Sequence, residues 1–127
     1  MKLAISGTAI LLALLCWAPS AFGQKLTERY IPVGESPGIS GKYSYQGEIK
    51  AVDTENRTVT VEGPEGRRTI KVTDRTSIWL DRSQQRLTNL SGTMADLQPG
   101  RRVEVKYVDY KTPDTADWIK VAVTGSS

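Results

Sequence analysis

Histidine is absent from this chain of 127 residues, and cysteine occurs once, at position 16. Without imidazole there is no base of the kind a serine or cysteine nucleophile uses, and the commonest metal ligand is missing. One cysteine makes no internal disulfide and no Cys/His metal site. Phenylalanine occurs once and methionine twice, and the long apolar run is confined to the first two dozen residues. Internal repeats, heptads and low-complexity tracts are also missing.

That apolar run has the layout of an export signal. Lys2 gives the positive start, Ile10 to Trp17 the apolar centre, and Ala21-Phe22-Gly23 the small residues before a cut at Gln24. It is too short, and too soon followed by Pro19, to be a spanning helix of about 20 residues. Leu15 before Cys16 disfavours lipid anchoring at that cysteine. Removing residues 1–23 leaves 104 residues with no cysteine, 16 basic and 14 acidic side chains. This is one small domain, burying roughly 60–65% of its unfolded surface. The expected address is exported, periplasmic or extracellular, with no transmembrane segment in the mature chain.

Residues 24–42 contain Pro32, Gly34, Pro37, Gly38 and Gly41 and little apolar periodicity, which predicts an extended leader. From residue 43 to 127 apolar residues alternate with period two and turn residues recur every 8–12 positions, the pattern of a small all-β domain. Strands are expected over 45–53, 58–62, 68–72, 76–81, 102–109 and 118–123. In the first, Ile49 and Ala51 are expected on one face, with Gly47 at a bulge. Gly63-Pro64-Glu65-Gly66 reads as a tight hairpin. Thr93 to Leu97 reads as one helical turn, with Thr93 as N-cap and Asp96 reciprocating. The expected fold is a five- or six-stranded OB-like antiparallel barrel with one short helical turn, closure removing the edge strands.

The succession Gly47-x-Ile49-x-x-Val52-Asp53, Thr58-Val59-Thr60-Val61, Val72-Thr73-x-x-Thr76-x-Ile78 and Leu97-x-Pro99-Gly100-x-x-Val103-x-Val105 resembles a family of small exported bacterial OB-like β-barrel domains of unknown function. The resemblance spans about residues 43–123 and implies a barrel in the cell envelope, with no catalytic or binding residues to carry over. The layout is also similar to the periplasmic copper-binding barrel of metal-efflux systems, which holds Cu(I) with His and Met ligands. Here histidine is missing and Met94 is the one methionine after the signal. Soft-metal binding needs several soft donors in one place, so no metal and no cofactor is expected.

Carboxylates remain as acid/base groups. Glu62 and Glu65 sit at a hairpin, and Asp109, Asp114 and Asp117 flank a loop. A small glycan-acting enzyme, or an accessory subunit of one, would need two of these across a cleft. No phosphate-loop or hydrolytic-triad pattern is present. Charge is uneven: residues 57–102 hold 9 basic and 5 acidic side chains, the rest of the mature chain 7 and 9. Arginine forks suit carboxylate, phosphate or sulfate. The candidate ligand-binding residues are therefore Trp79 and Tyr107 as aromatic platforms with Arg68, Arg82 and Arg86. Alternation sets Trp79 apart from Ile78 and Leu80, exposed or covered by the leader, and sets Trp118 out of phase with Ile119 and Val121, at a barrel end. The expectation is a non-catalytic envelope protein, a binding or interaction module for a protein partner, an anionic ligand or a glycan. A mature net charge of +2 disfavours nucleic acid.

The signal reading predicts that protein recovered from the exported fraction begins at Gln24. Intact-mass spectrometry checks this; an uncut chain or a lipid on Cys16 would overturn it.

Overall fold

The computed structural model describes residues 28–123. The expected signal segment, residues 1–23, lies outside them. The fold is all-β and OB-like. Seven strands form one sheet: β1 (Ser44–Asp53), β2 (Thr58–Gly63), β3 (Gly66–Lys71), β4 (Ser77–Asp81), β5 (Leu90–Ser91), β6 (Arg102–Tyr107) and β7 (Ala116–Ala122). Their order across the sheet is β3-β2-β1-β6-β7-β4-β5.

The first three strands form a meander. Between β1 and β2, the Asp53 carboxylate accepts the Asn56 backbone N–H at 3.1 Å and its side-chain amide at 2.8 Å. These bonds, the backbone one first, hold the Asp53 carboxyl below its ordinary range. The β2–β3 hairpin closes on Gly63 opposite Gly66, with Gly66 at φ 104° where a side chain would be strained. The turn over 93–97 forms as the sequence predicts: the Asp96 carboxylate accepts the Thr93 backbone N–H at 2.8 Å.

Val59, Val61, Ile70, Val103, Val105, Ile119 and Val121 are almost wholly removed from solvent and meet on the inner face with Tyr45 and Tyr107. Each aliphatic side chain so buried contributes about 1.5–3 kcal/mol. This alternation is the one the sequence predicts.

Four expectations need correction. There are seven strands, the added one being the two-residue β5. The pairing is not wholly antiparallel, because β4 runs parallel to β7. The wall is not closed: one isolated bridge, Lys71 with Thr115, spans the seam between the end of β3 and the chain entering β7. The bulge falls between Ile49 and Ala51, not at Gly47. The extra residue reverses the phase, so Val52 packs against the core and Ala51 faces solvent. Gly47 serves close approach instead, since a Cβ there would lie 2.3 Å from the Glu62 carbonyl oxygen.

The outer face of β6, β7 and β4 carries charge, yet it is buried. Glu104 and Lys120 stand opposite one another on β6 and β7, and both have no solvent exposure. Residues 28–43, a 3₁₀ turn (Glu28–Tyr30) followed by a string of turns, lie over them. Glu104 accepts the Gly34 N–H at 2.8 Å and the Ser40 and Ser44 hydroxyls at 2.5 and 2.6 Å. Lys120 donates to Glu28 and, at 2.7 Å, to Ser36, which itself donates to Glu28. On β4, Asp81 accepts the Val33 N–H at 2.9 Å. Asn89 donates to the carbonyls of Glu28 and Ile31. Trp118 is buried on this same face, its ring 4.6 Å from the Lys120 ammonium, so it belongs to the covered face and not to a barrel end.

Glu28→Ala leaves a buried ammonium without its counter-charge and is expected to destabilise the fold by about 3–5 kcal/mol, whereas adding Lys120→Met removes the orphaned charge and restores most of the loss. Urea unfolding of both variants checks the pair; equal stability of the single and the double variant would contradict it.

Candidate functional site

The seam side of the molecule gathers tyrosines around one arginine. Tyr45 on β1 points inward at the end of the meander. Its hydroxyl donates to the Gly66 carbonyl at 2.6 Å and accepts the Glu65 N–H at 3.1 Å, so it fixes the tip of the β2–β3 hairpin. Arg68 on β3 lies over the Tyr45 ring, its guanidinium carbon 4.0 Å from the centroid. It donates to the Tyr107 hydroxyl at 3.4 Å and to Glu65 at 2.9 Å. The Tyr107 contact, then the neighbouring negative charge, raises the Arg68 pKa, so the group stays cationic. Tyr43 and Tyr110, both exposed, meet edge to face at 4.9 Å at the mouth of this arrangement.

These side chains line a recess of about 220 Å³, bounded by Arg68, Glu65 and the four tyrosines, with Lys42 at its edge. A second recess of about 180 Å³ adjoins it through Gly41, Ser44, Tyr45 and Glu65. Chemically the site offers aromatic faces, phenol hydroxyls and a preoriented guanidinium fork, with a carboxylate as a further acceptor.

Of the five residues singled out from sequence, the structure brings Arg68 and Tyr107 together here. Tyr107 is mostly buried and presents its hydroxyl, so it is a wall of the recess and not a stacking platform. Trp79, Arg82 and Arg86 do not line this recess. Trp79 is half-buried on β4 between Lys120 of β7 and Ser91 of β5. Arg82 donates to the Thr88 carbonyl at 2.8 Å, and Arg86 ends the 3₁₀ turn Ser83–Gln85 in a left-handed conformation. Tyr43, Tyr45 and Tyr110 are visible in the sequence as aromatics, but only the fold converges them. The spacing Tyr43-x-Tyr45, with Tyr107 and Tyr110 at the far end of the partner strand, is the signal that a pairing of β1 with β6 would have turned into a site.

A pair of carboxylates also faces across strands. Glu48 and Glu62 are in register on β1 and β2 and line a shallow recess of about 430 Å³. Each has a cation: Lys50 at 2.5 Å from Glu48, Arg67 at 2.5 Å from Glu62. The Arg67 hydrogen bond holds Glu62 below the ordinary carboxylate range. Lys50 is raised by the same contact with Glu48. A glycosidase acid needs the opposite shift. Among the described residues, no three Asp, Glu, His or Cys side chains cluster as a metal site. No helix of the described residues is long and apolar enough to cross a membrane.

Among solved structures, the chain is similar to CusF. The structure of Ag(I)-CusF aligns at a TM-score of 0.43 and 20% identity, covering 61% of this chain and 93% of that one. Apo-CusF residues 6–88 from Escherichia coli align at 0.44 and 18% identity, covering 69% of this chain and 100% of that one. No family model and no curated protein matches the chain.

Tyr45→Phe removes both hydrogen bonds that fix the hairpin tip and leaves the Glu65 N–H without its partner. The expected cost is about 1–3 kcal/mol, read as a lowered midpoint in urea with an unchanged slope. Stability equal to the parent protein would contradict the role given to this hydroxyl.

Proposed function

We propose that this is an exported, non-catalytic binding module of the cell envelope, and that its ligand is an acidic sugar held in the tyrosine–arginine recess. The observation that carries the reading is the guanidinium of Arg68, laid on Tyr45 and flanked by Tyr107, Tyr43 and Tyr110. Tyrosine faces suit the C–H face of a pyranose ring, and phenol hydroxyls suit its hydroxyl groups. A planar fork suits a carboxylate or sulfate on that ring. The recess is of the size of one sugar unit, and its neighbour gives a chain somewhere to continue.

Preorganisation supports the same reading. Arg68 is already oriented by two contacts, so little side-chain freedom is lost when a ligand arrives. Glu65 shares the fork in the free protein and is replaced by the ligand's anion. A second reading, a small glycan-acting enzyme, has Glu48 and Glu62 in its favour by register and against it by charge, because both are paired with cations.

Calorimetric titration with oligogalacturonate, and with a neutral cello-oligosaccharide as comparison, tests the proposal. Saturable binding of the acidic chain is expected. Tyr110→Ala should weaken it roughly fivefold, as expected for the loss of one aromatic face worth about 1 kcal/mol. Arg68→Lys, which keeps charge but loses the fork, should weaken it as well. Equal binding of the neutral chain, or no binding of either, overturns the proposal. Release of reducing ends during the titration would favour the enzyme reading.

A further inference from the structure

A second surface, independent of the recess, is built where the start of the covering segment meets the loop after β4. Asn89 joins the two. Its backbone N–H donates to the Arg29 carbonyl at 2.8 Å, while its side chain holds the carbonyls of Glu28 and Ile31. Arg82 closes the loop from the other side, its Nε bonded to Thr88 and its carbonyl accepting the Leu87 N–H at 3.2 Å. The exposed products of this arrangement are three apolar side chains, Tyr30 at 66%, Leu87 at 49% and Leu90 at 47%. Arg29, Arg82 and Arg86 stand in the same two segments.

Neither residues 28–34 nor the loop after β4 presents a free carboxylate. Between Arg82 and Met94 the sequence has no acidic residue. Glu28 is buried against Lys120, and Asp81 is buried with its two oxygens taken by the backbone N–H groups of Val33 and Ser83. None of the three arginines has an ion-pair partner among the described residues. The surface is therefore cationic and apolar together. Tyr30 lies in the 3₁₀ turn, Leu87 in the loop and Leu90 on the two-residue strand β5, and the recesses described above are lined by other residues.

From this we propose that the Tyr30/Leu87/Leu90 tip with Arg29, Arg82 and Arg86 docks the protein on an anionic lipid surface. Projecting apolar side chains enter the headgroup boundary without needing a shaped partner, and guanidiniums fork onto lipid phosphates. Each arginine near an anionic leaflet strengthens binding about fivefold, and screening by salt removes that gain. An acidic protein face could meet the same charges. Guanidiniums without carboxylate partners beside exposed apolar side chains match the headgroup boundary, where phosphates and acyl chains meet, and this favours the lipid.

Flotation of the protein, purified after export, with vesicles of phosphatidylcholine alone and of equimolar phosphatidylcholine and phosphatidylglycerol is the test. All variants must carry the same N-terminus, checked by intact mass. Binding to the anionic vesicles that falls with salt is expected, with little to the neutral ones. Arg82→Glu with Arg86→Glu should weaken binding by more than the roughly 25-fold of two lost arginines, because the sign of the charge is reversed. Leu87→Ser with Leu90→Ser should release the protein while leaving its thermal unfolding unchanged, since both side chains are already half in solvent. Absence of vesicle binding overturns the proposal, as does binding that both double variants retain. Cross-linking through this tip to an acidic protein, without flotation, would assign the surface to that partner instead.

Discussion

The burial of Glu104 and Lys120 on the outer face of the sheet is the constraint on which the rest depends. An ionised side chain taken out of water without partners is very costly, so whatever covers these residues must satisfy them. Residues 28–43 do so atom by atom, with Ser44 at the start of β1 adding one hydroxyl. Three donors meet Glu104, and a carboxylate and a hydroxyl meet Lys120. The pattern is specific to one placement of the segment. Sliding it by one residue would strand two charges at once, which fixes its register more strictly than the apolar contacts of Val33 and Ile39 could.

That placement shapes both surfaces of interest. One end of the segment runs into Tyr43 and β1 and so forms a wall of the tyrosine recess. The other end meets Asn89 and ties Arg29 and its neighbour Tyr30 to the loop that carries Arg86 and Leu87. The two surfaces are thus held at opposite ends of one short length of chain, each beside a strand-ending loop. The strands supply rigidity, and the covering segment supplies position.

Much of the fold is legible in the sequence where a rule is local. Val59 and Val61, or Val103, Val105 and Tyr107, alternate because one face of their strand is core. Thr93 and Asp96 declare their turn by three-residue spacing. The same alternation assigns Glu104 and Lys120 to solvent, and it errs because the element that covers them is 64 to 92 residues away. No local pattern records such a cover. The bulge after Ile49 is hidden for a related reason: Lys50 and Ala51 fit either phase, and only pairing with β2 decides. For the site, Arg68 and Tyr107 were recognisable by type and do meet. Trp79, Arg82 and Arg86 share only their chemistry with that pair, and the parallel pairing of β4 with β7 carries them to another part of the sheet.

The partner of Glu28 is Lys120, on the last strand. A chain that emerges from its N-terminus, from a ribosome or a translocation channel, therefore cannot neutralise its first buried charge until nearly every residue has followed. The β1–β2–β3 meander has local contacts and can form early, but the outer face has no stable partial form. The outer face is therefore completed only when β7 arrives, and its buried charges are satisfied last, after the local meander has formed.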